Sequence, residues 1–146
     1  MPELAVFGSA TLTKRIAYLA TIRVDGAPRV HPVSPFLSHG KLFVYMEPTS
    51  PKGNDLRRDP RYAMHCAVDD ETGGSGEFCV RGTASVVDDP EMRKKAFDAA
   101  RAIGYKPNDR YILFELDIEE ALATTYDDEL PVRKRWRSVA DSARTG

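Results

Sequence analysis

The densest grouping of anion-binding chemistry in this chain runs from Thr49 to Arg58. Thr49 and Ser50 bring two hydroxyls and Lys52 an ammonium, and the backbone amides of Gly53 and Asn54 stand near a predicted helix start. Hydroxyls, a cation and free amides at such a point are what a phosphate needs. Arg57 and Arg58 add charge from the next turn, and Arg29 belongs to the same informative stretch. The alternative is a solvated, proline-rich connection with no ligand, since polar loops of this kind are common.

Other reactive types are dispersed. His31, His39 and His65 form no readable metal set, and CxxC, HExxH and paired Cys/His spacings are absent, so no metal site is expected. Cys66 and Cys79 lie inside strand-like runs and are expected to be buried, inert thiols rather than a disulfide framework. His31 reads either as a structural histidine or as a cofactor or substrate contact. Tyr45 either donates a hydrogen bond or packs. No catalytic residues can be assigned.

These residues need elements to hold them. Ala17 to Val24 alternates with period 2, with Tyr18, Ala20, Ile22 and Val24 on one face and Thr21 and Arg23 on the other, which predicts a strand. Asp25-Gly26 predicts a hairpin turn. Pro28 to Phe36 carries three prolines, so it is an edge or an interrupted strand. After a His39-Gly40 turn comes a strand over Lys41 to Glu47. Asn54 to Arg58 is a candidate short helix, stopped by Asp59-Pro60. Strands follow over Tyr62 to Val68 and Glu77 to Val87, separated by an acidic loop from Asp69 to Gly76, and Gly82 marks a bulge. Asp89 as N-cap and Pro90 at the first position open a helix that Gly104 closes. Tyr111 to Ile118 is a sixth strand, with Ala121 to Tyr126 as a candidate seventh. Val132 to Ser138 is a basic tail, read as solvated, with Trp136 expected to dock over a partner or site; residues beyond Val139 read as disordered.

This order has no βαβ alternation, no GxGxxG and no phosphate-loop motif, which excludes a doubly wound nucleotide fold. It predicts a mainly β protein built as a small antiparallel barrel. The chain has 146 residues, one domain's worth, with 21 Lys+Arg against 22 Asp+Glu and a formal net charge of -1. That balance argues against a general nucleic-acid binder or a polybasic membrane binder. Mean hydropathy is -0.41, no run is long enough to span a membrane, and residues 1–7 do not read as a signal peptide, so cytoplasm is the expected compartment.

The stretch AYLATIRVDGAPRVHPVSPF…KLFVYMEPTSPKGNDLRRDPR resembles the flavin-binding split-barrel family related to pyridoxamine 5'-phosphate oxidase. The likeness rests on Leu19-Ala20-Thr21, Asp25-Gly26, Pro28 with Pro32, Ser50 with Lys52, and the run from Asn54 to Arg61, and covers about residues 10–126. It implies a single split-barrel domain over residues 1–146 with six strands, working as a homodimer with FMN at the subunit interface. By position, Ser50 and Lys52 would hold the FMN phosphate, with Arg29, Thr49, Arg57 or Arg58 in support. His31, Val33 and Ser34 would line the ring. Tyr45, Met46 and Glu47 would lie beside the ribityl chain and ring. Glu77 would reach the cofactor from the other subunit, and Trp136 with its neighbouring arginines would cover the site. The chain departs from the family with Pro51 in place of a basic residue and Glu77 in place of a neutral amide. The substrate-phosphate residues of true pyridoxamine 5'-phosphate oxidases are not recognisable, so the expected activity is flavin-dependent oxidoreduction of another small molecule. The alternatives are a deazaflavin-dependent reductase, whose anionic tail would use Arg57, Arg58 and the basic tail, and a non-catalytic flavin or haem carrier using His31 or His65.

Overall fold

Pro28 and Pro32 lack the N–H that a ladder requires, so their run belongs at a sheet edge. The computed structural model, which describes Gly8 and residues 16–68 and 76–138, has it there. Strands β1 (Ala17–Ile22), β2 (Pro28–Val33), β3 (Phe36–Ser38), β4 (Lys41–Met46), β5 (Arg61–Cys66), β6 (Glu77–Val86), β7 (Ile112–Asp127) and β8 (Leu130–Arg137) form one antiparallel sheet. The hydrogen-bonded order is β2-β1-β5-β6-β7-β4-β3, with β8 paired to β7 off this path. Two helices complete the chain: α1 (Pro51–Arg58) after β4 and α2 (Pro90–Ala102) after β6. Only Ser34 and Pro35 separate β2 from β3, the two edges of the sheet. The backbone thus brings both edges to one corner without a ladder between them, and the sheet curls into a split barrel.

The barrel interior is filled by Leu19, Leu42, Val44, Met64, Val80, Phe114 and Leu116, all at 1% exposure or less. A second cluster lies outside the barrel wall. There Ala96 and Ala100 of α2, both at 0% exposure, pack on Phe36, Phe43 and Leu113. Asp89 caps α2, its carboxylate accepting from the Met92 amide at 3.0 Å, and Pro90 takes the first helical position. Gly82 stands where the β6–β7 register shifts, and a Cβ on it would lie 1.9 Å from the Asp117 carbonyl oxygen. Only glycine lets the two backbones approach this closely.

Four expectations change. Eight strands replace six, because the second run breaks at Ser34-Pro35 and the tail adds β8. That tail is not a solvated segment: Leu130–Arg137 pairs along Glu120–Asp127. The sixth and seventh strands are one, since the extra residue opposite Gly82 lets β7 bend and continue. The inward face of β1, which the alternation left open, is the one that carries Ala17, Leu19 and Thr21, and Tyr18 is exposed. The interior takes Leu19, and Thr21 can follow it inward because a buried partner accepts its hydroxyl. Finally, α1 starts at Pro51, three residues before the predicted Asn54, with Ser50 as N-cap. Most of the acidic loop (69–75) and the residues beyond 138 lie outside the described residues.

Candidate phosphate and cofactor site

Ser50-Pro51 opens α1 as Asp89-Pro90 opens α2, and this fixes what the first turn offers. The Ser50 hydroxyl is buried and accepts from the Gly53 amide at 3.4 Å, while the Asn54 amide donates to the Ser50 carbonyl at 3.0 Å. The Gly53 and Asn54 amides, expected to face a phosphate, are therefore used in capping the helix. Pro51 has no N–H. The Lys52 amide is left as a first-turn donor with no acceptor among the described residues, and the Lys52 ammonium likewise has no ion pair there.

Asp55 organises the other cations. Its carboxylate is 4% exposed and accepts from Thr21 Oγ1 at 2.7 Å, Arg29 Nε at 2.7 Å and Arg58 Nη2 at 3.0 Å. Burial pushes the carboxyl up, but the hydrogen bonds from Thr21, Arg29 and Arg58 outweigh it and hold it below its ordinary value. Arg58 also donates to the Ile22 carbonyl at 2.7 Å. Arg57 donates to the Pro48 carbonyl at 2.9 Å and to Asn54 Oδ1. Asp55 itself was not anticipated as part of the site; its only sequence signal is a carboxylate within a basic run.

The remaining site residues separate into groups. His31 is half-buried on β2 opposite Leu19, and the Val33 side chain is buried beyond it. Ser34 is exposed at the corner between β2 and β3, lining a cleft of about 300 Å³ with Phe36 and Tyr105. Met46 is buried under Gly53 of α1, 3.6 Å from the Cβ that residue lacks. Tyr45 points to the opposite face, stacked on Phe36 at 5.5 Å and near Tyr105 at 6.0 Å, and burial raises its phenol. Its role within this chain is packing. Glu47 is exposed beside Arg110 at 3.4 Å, and Thr49 is exposed.

Glu77 lies at the other end of β6 from α1. Glu77 starts β6, 3.8 Å from His65 Nε2, whereas the residues next to α1 meet the far end of β6, where the Ala84 amide donates to the Pro60 carbonyl. Trp136 pairs with Ala121 and walls a cleft of about 400 Å³ with Leu42, Phe78, Leu116 and Ile118. His65 Nδ1 donates to the Cys66 carbonyl at 2.7 Å, which leaves Nε2 of the neutral ring unprotonated. Cys66 is buried and Cys79 half-buried, the Cys79 thiol pushed up by burial. Among the described residues no helix is long and apolar enough to cross a membrane.

The donor set around α1 fits a phosphate: one free amide, one unpaired ammonium, a buried hydroxyl and a guanidinium whose Nη groups have no partner among the described residues. The nearby carboxylate of Asp55 is neutralised by Arg29 and Arg58.

Residues 9–125 match the family model described as pyridoxamine 5'-phosphate oxidase. No curated protein matches the chain. Among solved structures, it is similar to a conserved hypothetical protein from Mycobacterium tuberculosis (20% identity, 84% of each chain covered, TM-score 0.67). It is also similar to a heme binding protein from Mycobacterium smegmatis (18% identity, 92% of this chain and 59% of that one, TM-score 0.70). A third is a candidate pyridoxamine 5'-phosphate oxidase from Listeria innocua (15% identity, 83% of this chain and 97% of that one, TM-score 0.68). At such identities the likeness is one of fold.

Proposed function

The chain belongs to the pyridoxamine 5'-phosphate oxidase family, and from that premise we propose that it is an FMN-dependent oxidoreductase acting on a small molecule other than pyridoxamine phosphate. The observation that carries this reading is the phosphate cradle at α1: Ser50 and Lys52 at the helix start, with Arg29 Nη groups that have no partner among the described residues. In this reading the FMN phosphate sits there, with His31 and Val33 of β2, Ser34 just after it, Met46 at the end of β4 and Glu47 just beyond it along the ring and ribityl chain. Bound FMN would supply the hydride chemistry. The chain's own residues bind the phosphate, orient the ring and exclude water.

A second copy of the chain is part of the proposal. Glu77 is at the end of β6 remote from α1, so in a single chain it stands apart from the cradle. The outer face of β1 and β2 also carries exposed apolar side chains: Tyr18 at 47% and Val30 at 62%, with Ile16 at 46% beside them. An apolar sheet face ending in an edge strand is a liability that a symmetric partner removes.

The test is a visible spectrum of the purified protein, followed by FMN titration. Retention of FMN, or its binding on titration, is the expected result. Lys52→Ala should weaken FMN by roughly 1.5–3 kcal/mol, the range for a hydrogen bond to a charged group. No binding in the wild type overturns the reading.

Two other cofactors are distinguished by the same protein. Arg81, Arg135 and Arg137 gather around one carboxylate, Glu120, at 2.6, 3.4 and 3.7 Å, a basic surface that a deazaflavin's anionic tail would use. Competition between FMN and a deazaflavin decides between them. The half-exposed His65, whose Nδ1 is held by the Cys66 carbonyl, favours a haem carrier as a second reading; a Soret band lost in His65→Ala would establish it.

A further inference from the structure

Burying a carboxylate on a surface helix is expensive unless donors surround it. Asp55 has three, from three elements: Thr21 of β1, Arg29 of β2 and Arg58 of α1. Two of them do more than neutralise charge. Arg58 also closes the end of β1 through the Ile22 carbonyl. Arg29 gives Asp55 only its Nε–H, and its Nη groups have no acceptor among the described residues. A guanidinium gripped at Nε keeps its four remaining N–H groups in one fixed plane. Its side chain is 26% exposed, so that plane reaches the surface. Lys52 stands three residues before Asp55, on the same side of α1.

We propose that Asp55 is the positioning residue of the phosphate cradle: it holds Arg29 by the Nε edge and turns both Nη groups toward a phosphate bound beside Lys52. The inference rests on the FMN reading above. It assigns the cradle's geometry to a carboxylate that never touches the ligand and would, by charge alone, repel it.

FMN and riboflavin, which differ only by the phosphate, are titrated into the wild type and Asp55→Asn, with folding checked by circular dichroism. Asparagine still accepts from Thr21 but loses the charge that orients Arg29. FMN binding should weaken about tenfold while riboflavin binding changes by less than about twofold. In an Arg29→Ala background, adding Asp55→Asn should change FMN affinity by less than about twofold, because the two act as one unit. Equal loss of FMN and riboflavin means a purely structural carboxylate and overturns the proposal, as does unchanged FMN affinity. A wild type that binds FMN no better than riboflavin overturns it too, while leaving flavin binding intact. A wild type that binds neither removes the FMN reading and this inference together. If Asp55→Asn does not fold, Arg29→Lys carries the test: lysine keeps the charge but cannot bridge Asp55 and a phosphate in the same plane. It should lose FMN affinity and keep riboflavin affinity, and unchanged FMN affinity there overturns the proposal.

Discussion

Thr21 and Arg29 are direct register partners across β1 and β2, and both donate to the same oxygen, Asp55 Oδ2, at 2.7 Å. One oxygen of α1 thereby ties together the first hairpin of the barrel. The helix that carries Ser50 and Lys52 cannot shift relative to β2 without breaking a charge-assisted hydrogen bond.

Thr21→Val keeps the shape of the side chain and removes one donor to this buried carboxylate. We expect a loss of about 1–3 kcal/mol, the cost of leaving a buried polar group short of a partner. Urea denaturation measures it. A change within about 0.5 kcal/mol, the range of a neutral surface substitution, would show that the bond contributes nothing net.

Acid should unfold the protein through its paired carboxylates. Asp55 is held below its ordinary value against its burial, and Glu120 is held low chiefly by its hydrogen bonds from Arg81. A group with a depressed native pKa contributes stability above its unfolded-state value, about 3.9 for Asp and about 4.3 for Glu, and loses it as pH falls through the native value. Urea midpoints should therefore fall below about pH 4. Asp55→Asn should be less stable than the wild type at neutral pH, with the gap narrowing as pH drops. Parallel curves would remove Asp55 from the acid response.

At Gly82 the constraint is steric. A methyl group would meet the Asp117 carbonyl oxygen at 1.9 Å. Gly82→Ala must displace the β6–β7 bulge, with an expected cost of about 3 kcal/mol or more. Gly26→Ala is the control: its φ of +84° is strained for alanine but nothing lies within 4 Å, so about 1–2 kcal/mol is expected. Equal melting temperatures for the two variants would contradict the bulge geometry.

The exposed face of β1 and β2 sets the last expectation. Val30→Glu, at a position 62% exposed, should leave the monomer fold intact. It should convert a dimer to monomers in light scattering, and weaken FMN if the site needs both copies. A wild type that is already monomeric at micromolar concentration would remove the second copy from the proposal.

Much of this fold was legible locally. Asp89-Pro90 marked the α2 start, prolines put β2 at an edge, and Gly82 marked the bulge. Ser50-Pro51 carries a cap-plus-proline signal like that of Asp89-Pro90, and it starts α1 three residues before the expected Asn54. In the site, Ser50, Lys52 and Arg29 do come together around α1, whereas Tyr45 turned to the α2 side of the sheet. Alternation told which residues share a face of a strand but not which face is inward; in β1 the inward one carries Ala17, Leu19 and Thr21.

The sequence by itself determined turns, caps, edges and the family, because each of those depends on residue type over a few neighbouring positions. The tertiary structure decided what Asp55 does. Its donors Thr21 and Arg29 lie 34 and 26 residues away, beyond the reach of any local pattern. It also decided that a basic tail becomes a strand, because a run of arginines is stable in a ladder only where β7 offers it a free edge and Glu120 offers it a counter-charge. A buried charge is worth keeping only when distant partners converge on it, and that convergence is a property of the closed barrel.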